Sequence, residues 1–329
     1  MARSTVITIG TFDGVHRGHQ ALLAEARRLA GSVEGGGRVV ALAFHPNPIA
    51  TLAPQHAPPT LTEFDRREQL LRAAGADRVV RLEPSPALLG LSADAFIERV
   101  VSEHAPRAIV EGADFRFGKG RAGDNHLLRE LGRARGFDVS VLDPVTVELT
   151  DQSLVTASST MTRWLVQHGR VRDAARLLGR PHELSGVVVR GDRLGRTIGF
   201  PTANLRTAVL LPADGVYAGR AHLPDGRGFP AAIHVGPRAT FDAPARTVEA
   251  YLLDWRGPLE DGWSGAEEYG WSLRLTLTSW LRDQAKFDGV GLLVEQIRRD
   301  VERTRALSNC EQPDRTSPHS AHQTKAVPA

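Results

Sequence analysis

The residue pattern changes character about halfway along the 329-residue chain. From residue 5 to about residue 181, short apolar runs alternate with segments whose apolar residues recur at helical spacing. From residue 184 to residue 281, strand-like runs and turn residues follow one another with little helical pattern. The first pattern is typical of a parallel sheet with crossover helices, and the second of an antiparallel barrel or sandwich. The sequence therefore predicts two domains of different architecture, joined near 179–184, which agrees with the chain length.

In the first region, the runs 6–9, 39–44, 79–80, 108–110 and 139–142 predict parallel strands. The segment 64–74 predicts a helix that Gly75 ends. A further helix is expected to end near Gly179.

In the second region, strand candidates are 186–189, 215–221, 231–235, 248–253 and 272–277. Residues 286–307 return to helical spacing, with Val290, Leu293, Ile297 and Val301 on one face. The polar residues 308–329 are expected to be a disordered tail.

Composition limits the classes of partner. A formal net charge of +3 and 6% aromatic residues give neither the basic excess nor the stacking residues typical of nucleic-acid binding. One cysteine, Cys310, permits no disulfide within the chain and no cysteine-based zinc site. The N-terminus lacks a signal-peptide core, and no apolar run approaches the length of a membrane span. We therefore expect a cytoplasmic protein that binds neither nucleic acid nor membrane.

The first glycine-rich cluster is Gly-Thr-Phe-Asp-Gly-Val-His-Arg-Gly-His, residues 10–19. It follows a predicted strand and precedes a helix expected to begin near Gly18, so His16 and His19 lie at a helix N-terminus that favours an anion. Two imidazoles there can donate to phosphate oxygens and stabilise the charge that develops on them. The cluster thus suits a nucleoside triphosphate. Two alternatives are a pair of surface histidines at a helix cap and a zinc pair that lacks an evident third ligand.

The second cluster covers residues 191–205 and holds three glycines, Gly191, Gly195 and Gly199. Such a loop can wrap a phosphate, and Thr202 and Asn204 offer oxygen atoms suited to Mg²⁺. Pro201 stiffens the segment. The alternative is an ordinary barrel hairpin with a polar turn.

The first cluster resembles the HxGH nucleotidyltransferase superfamily, and its full string resembles the bacterial bifunctional riboflavin kinase/FAD synthetase family. Ser-Ser-Thr-Met-Thr-Arg at 158–163 is similar to a motif of that family that contacts ATP phosphates, and Gly-Ala-Asp-Phe-Arg-Phe-Gly at 112–118 with the following Arg121 is similar to its flavin-side loop. By this resemblance, flavin would contact Asn47, Asp114, Phe115 and Arg121. ATP would contact Gly10, Phe12, Asp13, Gly14, His16, Gly18, His19, Ser158, Ser159, Thr160 and Arg163.

The second cluster continues the same resemblance, because Gly-Phe-Pro-Thr-Ala-Asn at 199–204 is similar to the riboflavin kinase signature. The strand at 248–254 matches the one that carries the kinase's general base, which maps to Glu249; a glutamate on the wet face of a barrel is the alternative. The resemblance implies that ATP and Mg²⁺ bind at Gly191, Gly195, Arg196, Gly199, Pro201, Thr202 and Asn204, with Thr202 and Asn204 as metal ligands.

Two positions and one segment depart from the family pattern. Asn47 stands where the family usually has histidine, and Ala239 stands where it usually has proline. The segment 255–271 is unusually rich in Gly, Glu and Trp, so we expect a variant flavin-side loop there.

The resemblance covers residues 5–307 and implies a Rossmann-like HxGH nucleotidyltransferase domain at 1–180, followed at 181–307 by a six-stranded antiparallel riboflavin kinase β-barrel with a C-terminal helix. It implies phosphorylation of riboflavin to FMN and adenylylation of FMN to FAD, with ATP as co-substrate and Mg²⁺ as cofactor. Two alternatives stay open: a paralogue that retains one activity or uses a flavin analogue, and a non-catalytic flavin-binding regulator. A nicotinamide-type redox enzyme is disfavoured, because the first cluster lacks the Gly-x-Gly-x-x-Gly string. A weak homo-oligomer is also left open.

Overall fold

The computed structural model describes residues 4–32, 36–237, 246–257 and 268–310. Within them, the N-terminal region forms a five-stranded sheet in the order β3-β2-β1-β4-β5. All its pairings are parallel, as the alternating pattern predicts. The strands are β1 (Thr5–Gly10), β2 (Arg38–Phe44), β3 (Arg78–Leu82), β4 (Pro106–Gly112) and β5 (Asp138–Leu142).

Helices cover both faces of this sheet, which explains why the central strand β2 is a nearly continuous apolar run. Side chains of α1 (Arg17–Gly31) and α3 (Phe64–Ala73) share one core cluster with Val39 and Ala41. Side chains of α5 (Ala93–His104) and α6 (Asn125–Arg135) share another with Val40 and Leu42. The shorter helices are α2 (Pro48–Leu52) and α4 (Pro86–Leu89), with 3₁₀ turns at Pro54–His56 and Lys119–Arg121.

The strand order creates a crevice between β1 and β4. Along β1, pairing with β2 continues to Gly10 opposite Ala43, whereas pairing with β4 ends at Ile7 opposite Ile109. The carboxyl ends of β1 and β4 therefore separate at the point where the strand order reverses direction. Open α/β sheets bind ligands at this switch point.

A small subdomain follows the sheet. It consists of the antiparallel hairpin β6 (Thr146–Glu148) and β7 (Leu154–Thr156) and the helices α7 (Ser159–Gln167) and α8 (Val171–Leu178). Its apolar side chains pack together around Leu165 and Leu177, with Leu61 from the first region. Gly179, in the left-handed conformation, ends α8 where the sequence predicts a helix end.

The second region is a closed antiparallel barrel, in which six strands pair in the order β10-β11-β12-β9-β8-β13 within the described residues. The strands are β8 (His182–Val189), β9 (Ala203–Arg206), β10 (Gly215–His222), β11 (Gly228–Pro237), β12 (Arg246–Leu252) and β13 (Ser272–Arg282), with a helical turn, α9 (Leu194–Thr197), before β9. The predicted six-stranded barrel is confirmed. Strand β9 was not among the strand candidates, because it lies inside the glycine-rich cluster.

The last helix, α10 (Val290–Cys310), packs on β10 and β11, and its Asp300 pairs with Arg282 at 2.8 Å. It begins four residues later than the periodicity predicts, and it continues to residue 310, past the expected start of the tail. Residues 311–329 lie outside the described residues. None of the described helices is long and apolar enough to cross a membrane.

The two regions share polar contacts. Glu183 of β8 accepts from Arg66 of α3 at 2.7 Å and pairs with Arg274 of β13 at 2.9 Å. The Leu210 N–H donates to the Thr60 carbonyl at 2.8 Å. The division at residue 180 stays a prediction.

Candidate active sites

A cleft of about 1110 Å³ opens at the carboxyl ends of β1 and β4. Thirteen of the predicted N-terminal site residues line it: Gly10, Phe12, His16, Gly18, His19, Asn47, Asp114, Phe115, Arg121, Ser158, Ser159, Thr160 and Arg163. The structure thus brings together segments that are up to about 150 residues apart in the sequence.

The two histidines of the first cluster are stacked, with ring centroids 3.6 Å apart and an interplanar angle of 28°. Burial, followed by the charge of Arg163, lowers the pKa of His16 to about 4. Burial, followed by the charges of His16 and Arg67, holds the pKa of His19 well below its ordinary value. Both imidazoles are therefore neutral at pH 7. Among the described residues, neither Nδ1 atom has a hydrogen-bond partner.

The glycine between the histidines is required by space. A Cβ atom on Gly18 would lie 3.1 Å from the His16 ring and 3.2 Å from the Ala157 carbonyl oxygen. Those contacts are tighter than ordinary van der Waals packing, so a side chain would push α1 away from the segment that precedes α7. Gly18 thereby keeps the two helix N-termini close together.

The N-terminus of α7 forms the opposite wall. Ser158 caps the helix by accepting from the Met161 N–H at 3.1 Å, and the Ser159 hydroxyl donates to the Asp13 carbonyl at 2.7 Å. Arg163 donates through Nε to the Pro59 carbonyl and through Nη2 to Asp13, which leaves its Nη1 unused by these two bonds. Two helix N-termini, α1 and α7, and one anchored guanidinium thus meet in the cleft, an arrangement that favours phosphate.

Asp13 and Gly14, two predicted ATP ligands, lie behind the cleft wall. The buried Asp13 carboxylate accepts from the Leu61 and Thr62 N–H groups and pairs with Arg163 at 2.6 Å and with Arg67 at 3.3 Å. Gly14 has a φ of +83° and faces Leu61. Gly14 thus shapes the loop, and Asp13 orients Arg163.

The predicted flavin-side residues lie on two segments. The Asn47 side chain caps α2 by accepting from the Ile49 N–H at 3.0 Å. On the opposite side, Phe115 stacks on Phe117 with centroids 5.4 Å apart, and Arg121 is exposed at the cleft. Asn47, which stands where the family usually has histidine, is therefore the N-cap of α2.

The predicted kinase residues surround a much smaller pocket, of about 20 Å³. Gly191, Arg196, Pro201, Thr202 and Asn204 line it, together with Arg193 and Tyr269. Gly195 and Gly199 lie nearby in the same loop but not on its wall.

The general-base candidate adjoins this pocket. Glu249 lies on β12 opposite Asn204 of β9, and Thr202 Oγ1 donates to Glu249 Oε2 at 3.4 Å. Gly191 packs on the Asn204 side chain so closely that a Cβ atom there would come within 2.4 Å of it. The glycine therefore lets the loop approach β9.

Two arginines of the loop are paired with a carboxylate from the segment between β12 and β13. Glu268 forms ion pairs with Arg193, at 2.7 Å, and with Arg196. Tyr269 accepts from Arg193 Nε at 3.0 Å. These contacts come from the unusual segment 255–271. Its residues 258–267, like Ala239, lie outside the described residues.

Sequence reasoning missed several residues around these sites. Arg67 lies on the helix predicted at 64–74, and the apolar spacing that predicts this helix does not indicate that a charged residue on it is buried behind the cleft. Glu268 was missed because it belongs to none of the motifs found in the sequence. Glu111, an acidic residue in an otherwise apolar strand, was the one available signal, and it lines the cleft. Among the described residues, no group of three or more His, Cys, Asp or Glu residues could hold a metal ion.

A switch-point cleft with stacked histidines, joined to a closed barrel with a glycine-rich loop beside a glutamate, defines a two-domain enzyme of phosphate transfer. The chain matches the family model for FAD synthetase over residues 1–156 and that for riboflavin kinase over residues 178–308. The bifunctional riboflavin kinase/FMN adenylyltransferase of Escherichia coli (strain K12) is 35% identical over 301 residues, which is 90% of each chain. That of Pseudomonas fluorescens is 35% identical over 93% of this chain and 94% of its own.

The fold agrees with a solved structure as well. The crystal structure described as a macrolide-efflux protein from Streptococcus pneumoniae superposes with a TM-score of 0.79 and 30% identity, covering 93% of this chain and 95% of that one. The chain belongs to the bifunctional riboflavin kinase/FMN adenylyltransferase family. Its two matched domains make ATP a substrate of each.

Proposed function

We propose that both sites of this chain are catalytic and act in sequence, the barrel forming FMN from riboflavin and the N-terminal cleft forming FAD from FMN. The observation that carries the proposal is the stacked pair of neutral histidines, held between two helix N-termini in a cleft separate from the glutamate-bearing barrel loop. Each site has the chemistry that one of the two reactions needs.

In the cleft, a phosphate oxygen of FMN attacks the α-phosphorus of ATP, and pyrophosphate leaves. His16 and His19 donate N–H groups to the phosphate oxygens as charge develops on them. Arg163, with Ser158 and Ser159 at the start of α7, holds the departing pyrophosphate. Because Arg163 is fixed by Asp13 and Pro59, it need not reorganise during the reaction.

The size of the cleft supports two substrates. A site for one drug-sized ligand occupies about 300–1,000 Å³, and this cleft measures about 1110 Å³. It therefore has room for a nucleotide at the helix N-termini and a flavin near Asn47, Asp114, Phe115 and Arg121.

In the barrel, Glu249 accepts the proton of the ribityl hydroxyl as the oxygen attacks the γ-phosphorus of ATP, and ADP leaves. Thr202 and Asn204 would hold Mg²⁺, since hydroxyl and amide oxygens beside a carboxylate form a hard donor set that fits this ion. When bound, Mg²⁺ neutralises charge on the transferred phosphate. The glycines of 191–199 let backbone N–H groups approach the phosphates.

The remaining parts of the proposal are the domain division at 1–180, 181–307 and 308–329, a cytoplasmic location, and at most weak self-association. A single-activity paralogue is the second candidate, because the segment 255–271 places Glu268 on the kinase arginines.

The experiment incubates purified protein with riboflavin, ATP and Mg²⁺ and separates the flavins by chromatography with fluorescence detection. FMN followed by FAD is the expected result. FMN alone would assign a defect to the cleft, and FAD only from supplied FMN would assign one to the barrel. Flavin binding without ATP consumption would replace the proposal with a regulator.

A further inference from the structure

One carboxyl group on the floor of the cleft has no part in the reaction described above. Glu111 is the last residue but one of β4 and is 2% exposed, yet it lines the cleft. Its Oε1 accepts from the Ile9 N–H at 2.7 Å, and among the described residues this is its one hydrogen bond. Its second oxygen is therefore available to a molecule in the cleft.

The position of Glu111 follows from the switch point. Pairing between β1 and β4 ends at Ile7 opposite Ile109, so the Ile9 N–H has no backbone partner on β4. The Glu111 side chain fills this gap and satisfies that N–H. It is thereby fixed between the separating strand ends, where ligands bind in sheets of this kind.

The surroundings favour the protonated form of this carboxyl. Burial, followed by the nearby Asp114 charge, raises the pKa of Glu111 well above its ordinary value, although the Ile9 N–H acts in the opposite direction. None of the described contacts joins Glu111 to the other titratable groups that line the cleft. These are His16 and His19 at the start of α1, His56 in the 3₁₀ turn after α2, Arg116, Lys119 and Arg121 after β4, Asp143 after β5, and Arg163 on α7. A protonated carboxyl that accepts with one oxygen can donate with the other.

The part of the substrate that meets Glu111 is restricted by charge. Phosphates are favoured at the helix N-termini beside His16 and Arg163, whereas the buried Glu111 offers them no positive charge. A neutral ring with an acceptor nitrogen or carbonyl oxygen fits a buried donor. Both substrates carry such a ring, the adenine of ATP and the isoalloxazine of FMN.

We propose that Glu111 is a substrate-positioning residue of the adenylyltransferase cleft, which donates a hydrogen bond from its second oxygen to a ring acceptor of ATP or FMN while Ile9 fixes its first oxygen. The inference rests on the proposed function of the cleft. It assigns ring recognition to a residue that no motif marks.

The test compares Glu111→Leu with Glu111→Gln. The glutamine amide can accept from Ile9 and donate to the ring, whereas leucine can do neither. For Glu111→Leu we expect the KM of one of the two substrates to rise by about fivefold to 100-fold, the range of a buried hydrogen bond that is lost. The affected substrate, ATP or FMN, identifies the ring. Glu111→Gln should keep both KM values near those of the wild type.

The pH profile supplies a second readout. As pH rises through the raised pKa of Glu111, the donor is lost, so the wild-type KM for that substrate should rise with pH, whereas that of Glu111→Gln should not. Riboflavin phosphorylation by the barrel of the same chain reports folding, and FAD formation by the wild type tests the proposed function separately. Unchanged KM values in Glu111→Leu would overturn the inference. The inference would also be overturned by a Glu111→Gln protein that is as impaired as Glu111→Leu, or by one whose KM rises with pH as that of the wild type does.

Discussion

The two candidate sites, both predicted to bind ATP, differ in how much space and how many positioned side chains they already offer. The N-terminal cleft measures about 1110 Å³ and has its histidines and Arg163 already in place. The barrel pocket measures about 20 Å³, and two of its arginines are paired with Glu268. A space of that size holds about one water molecule. The cleft is thus built by the fold, whereas binding of a triphosphate at the predicted kinase site would require the barrel pocket to open.

The difference follows from architecture. In a parallel sheet, strand order alone separates β1 from β4 and leaves a crevice at their carboxyl ends. A six-stranded barrel fills its interior with side chains such as Tyr217 and Ile233, so its site must lie outside that core, where the glycine-rich loop covers residues of β9 and β12. Loops can change conformation at low cost, and the loop at 191–202 is therefore where substrate-dependent change is expected.

The largest expected effect is that of a substitution in the barrel, which should remove one activity and leave the other. Glu249→Ala should lower the rate of FMN formation by about 10²–10⁴-fold, the usual contribution of a general base, and should leave FAD formation from supplied FMN unchanged. Both rates are measured by flavin chromatography. Glu302→Ala, at an exposed position of α10, is the matched control. FMN formation that survives in Glu249→Ala would remove Glu249 as the base.

The second effect is that of a substitution in the cleft, which should remove the other activity. His19→Ala should lower FAD formation by about 10²–10³-fold, since it removes a preorganised donor, and should leave FMN formation unchanged. His126→Ala is the control, because the His126 side chain is 82% exposed. Equal loss of both activities would contradict the two-site account.

A smaller effect tests the closed state of the barrel pocket. Glu268→Gln weakens the contact with Arg193 and Arg196, which should lower the KM for ATP in riboflavin phosphorylation by up to about fivefold, the range of an exposed ion pair. FAD formation should not change. Asp225→Asn, which weakens an exposed pair with Arg227 on a hairpin, is the control. A higher KM for ATP would show that Glu268 supports the pocket and does not compete with phosphate.

The smallest expected effect concerns stability in acid. Both regions of the chain contain a buried histidine whose protonation should destabilise the fold. Burial lowers the pKa of His182, at the start of the barrel, to about 4, as it does for His16 in the cleft. Between pH 6.5 and 4 the unfolded chain therefore binds protons that the folded chain does not, and the free energy of unfolding should fall as pH falls. His182→Gln can still donate to the Leu210 carbonyl and should make this fall shallower.

Urea unfolding at pH 7, 6 and 5 measures that slope, with His126→Gln as the exposed control. An unchanged slope in His182→Gln would show that His182 titrates normally.

Much of the fold could be predicted from the sequence because the spacing of apolar residues indicates which faces of a helix or strand are buried. Each strand of the parallel sheet contains an apolar run that was predicted as a strand, and the observed strand extends that run by at most three residues at either end. The barrel was readable from its evenly spaced strands and from the resemblance. The short strand β9 was not, since its residues 203–206 belong to a polar, glycine-rich string whose strand pairing depends on β8 and β12.

The sites were readable where a motif lies on one segment. The string 10–19 predicted the histidines at a helix N-terminus, and α1 begins at Arg17. Long-range polar contacts could not be read: that Asp13 faces Leu61 and Arg163, or that Glu268 reaches Arg196, depends on how distant segments fold together. The roles of all these residues stay predictions until variants are measured.

The central claim is that one chain carries two separate catalytic sites, and mixing two defective variants tests it most directly. Riboflavin, ATP and Mg²⁺ are given to His19→Ala alone, to Glu249→Ala alone and to an equal mixture. Alone, the first should accumulate FMN and the second should form neither product, whereas the mixture should form FAD as FMN passes from one protein to the other. A mixture that forms no FAD, although Glu249→Ala converts supplied FMN, would contradict passage of free FMN between separate sites, and FAD from either variant alone would contradict the assignment of its residue.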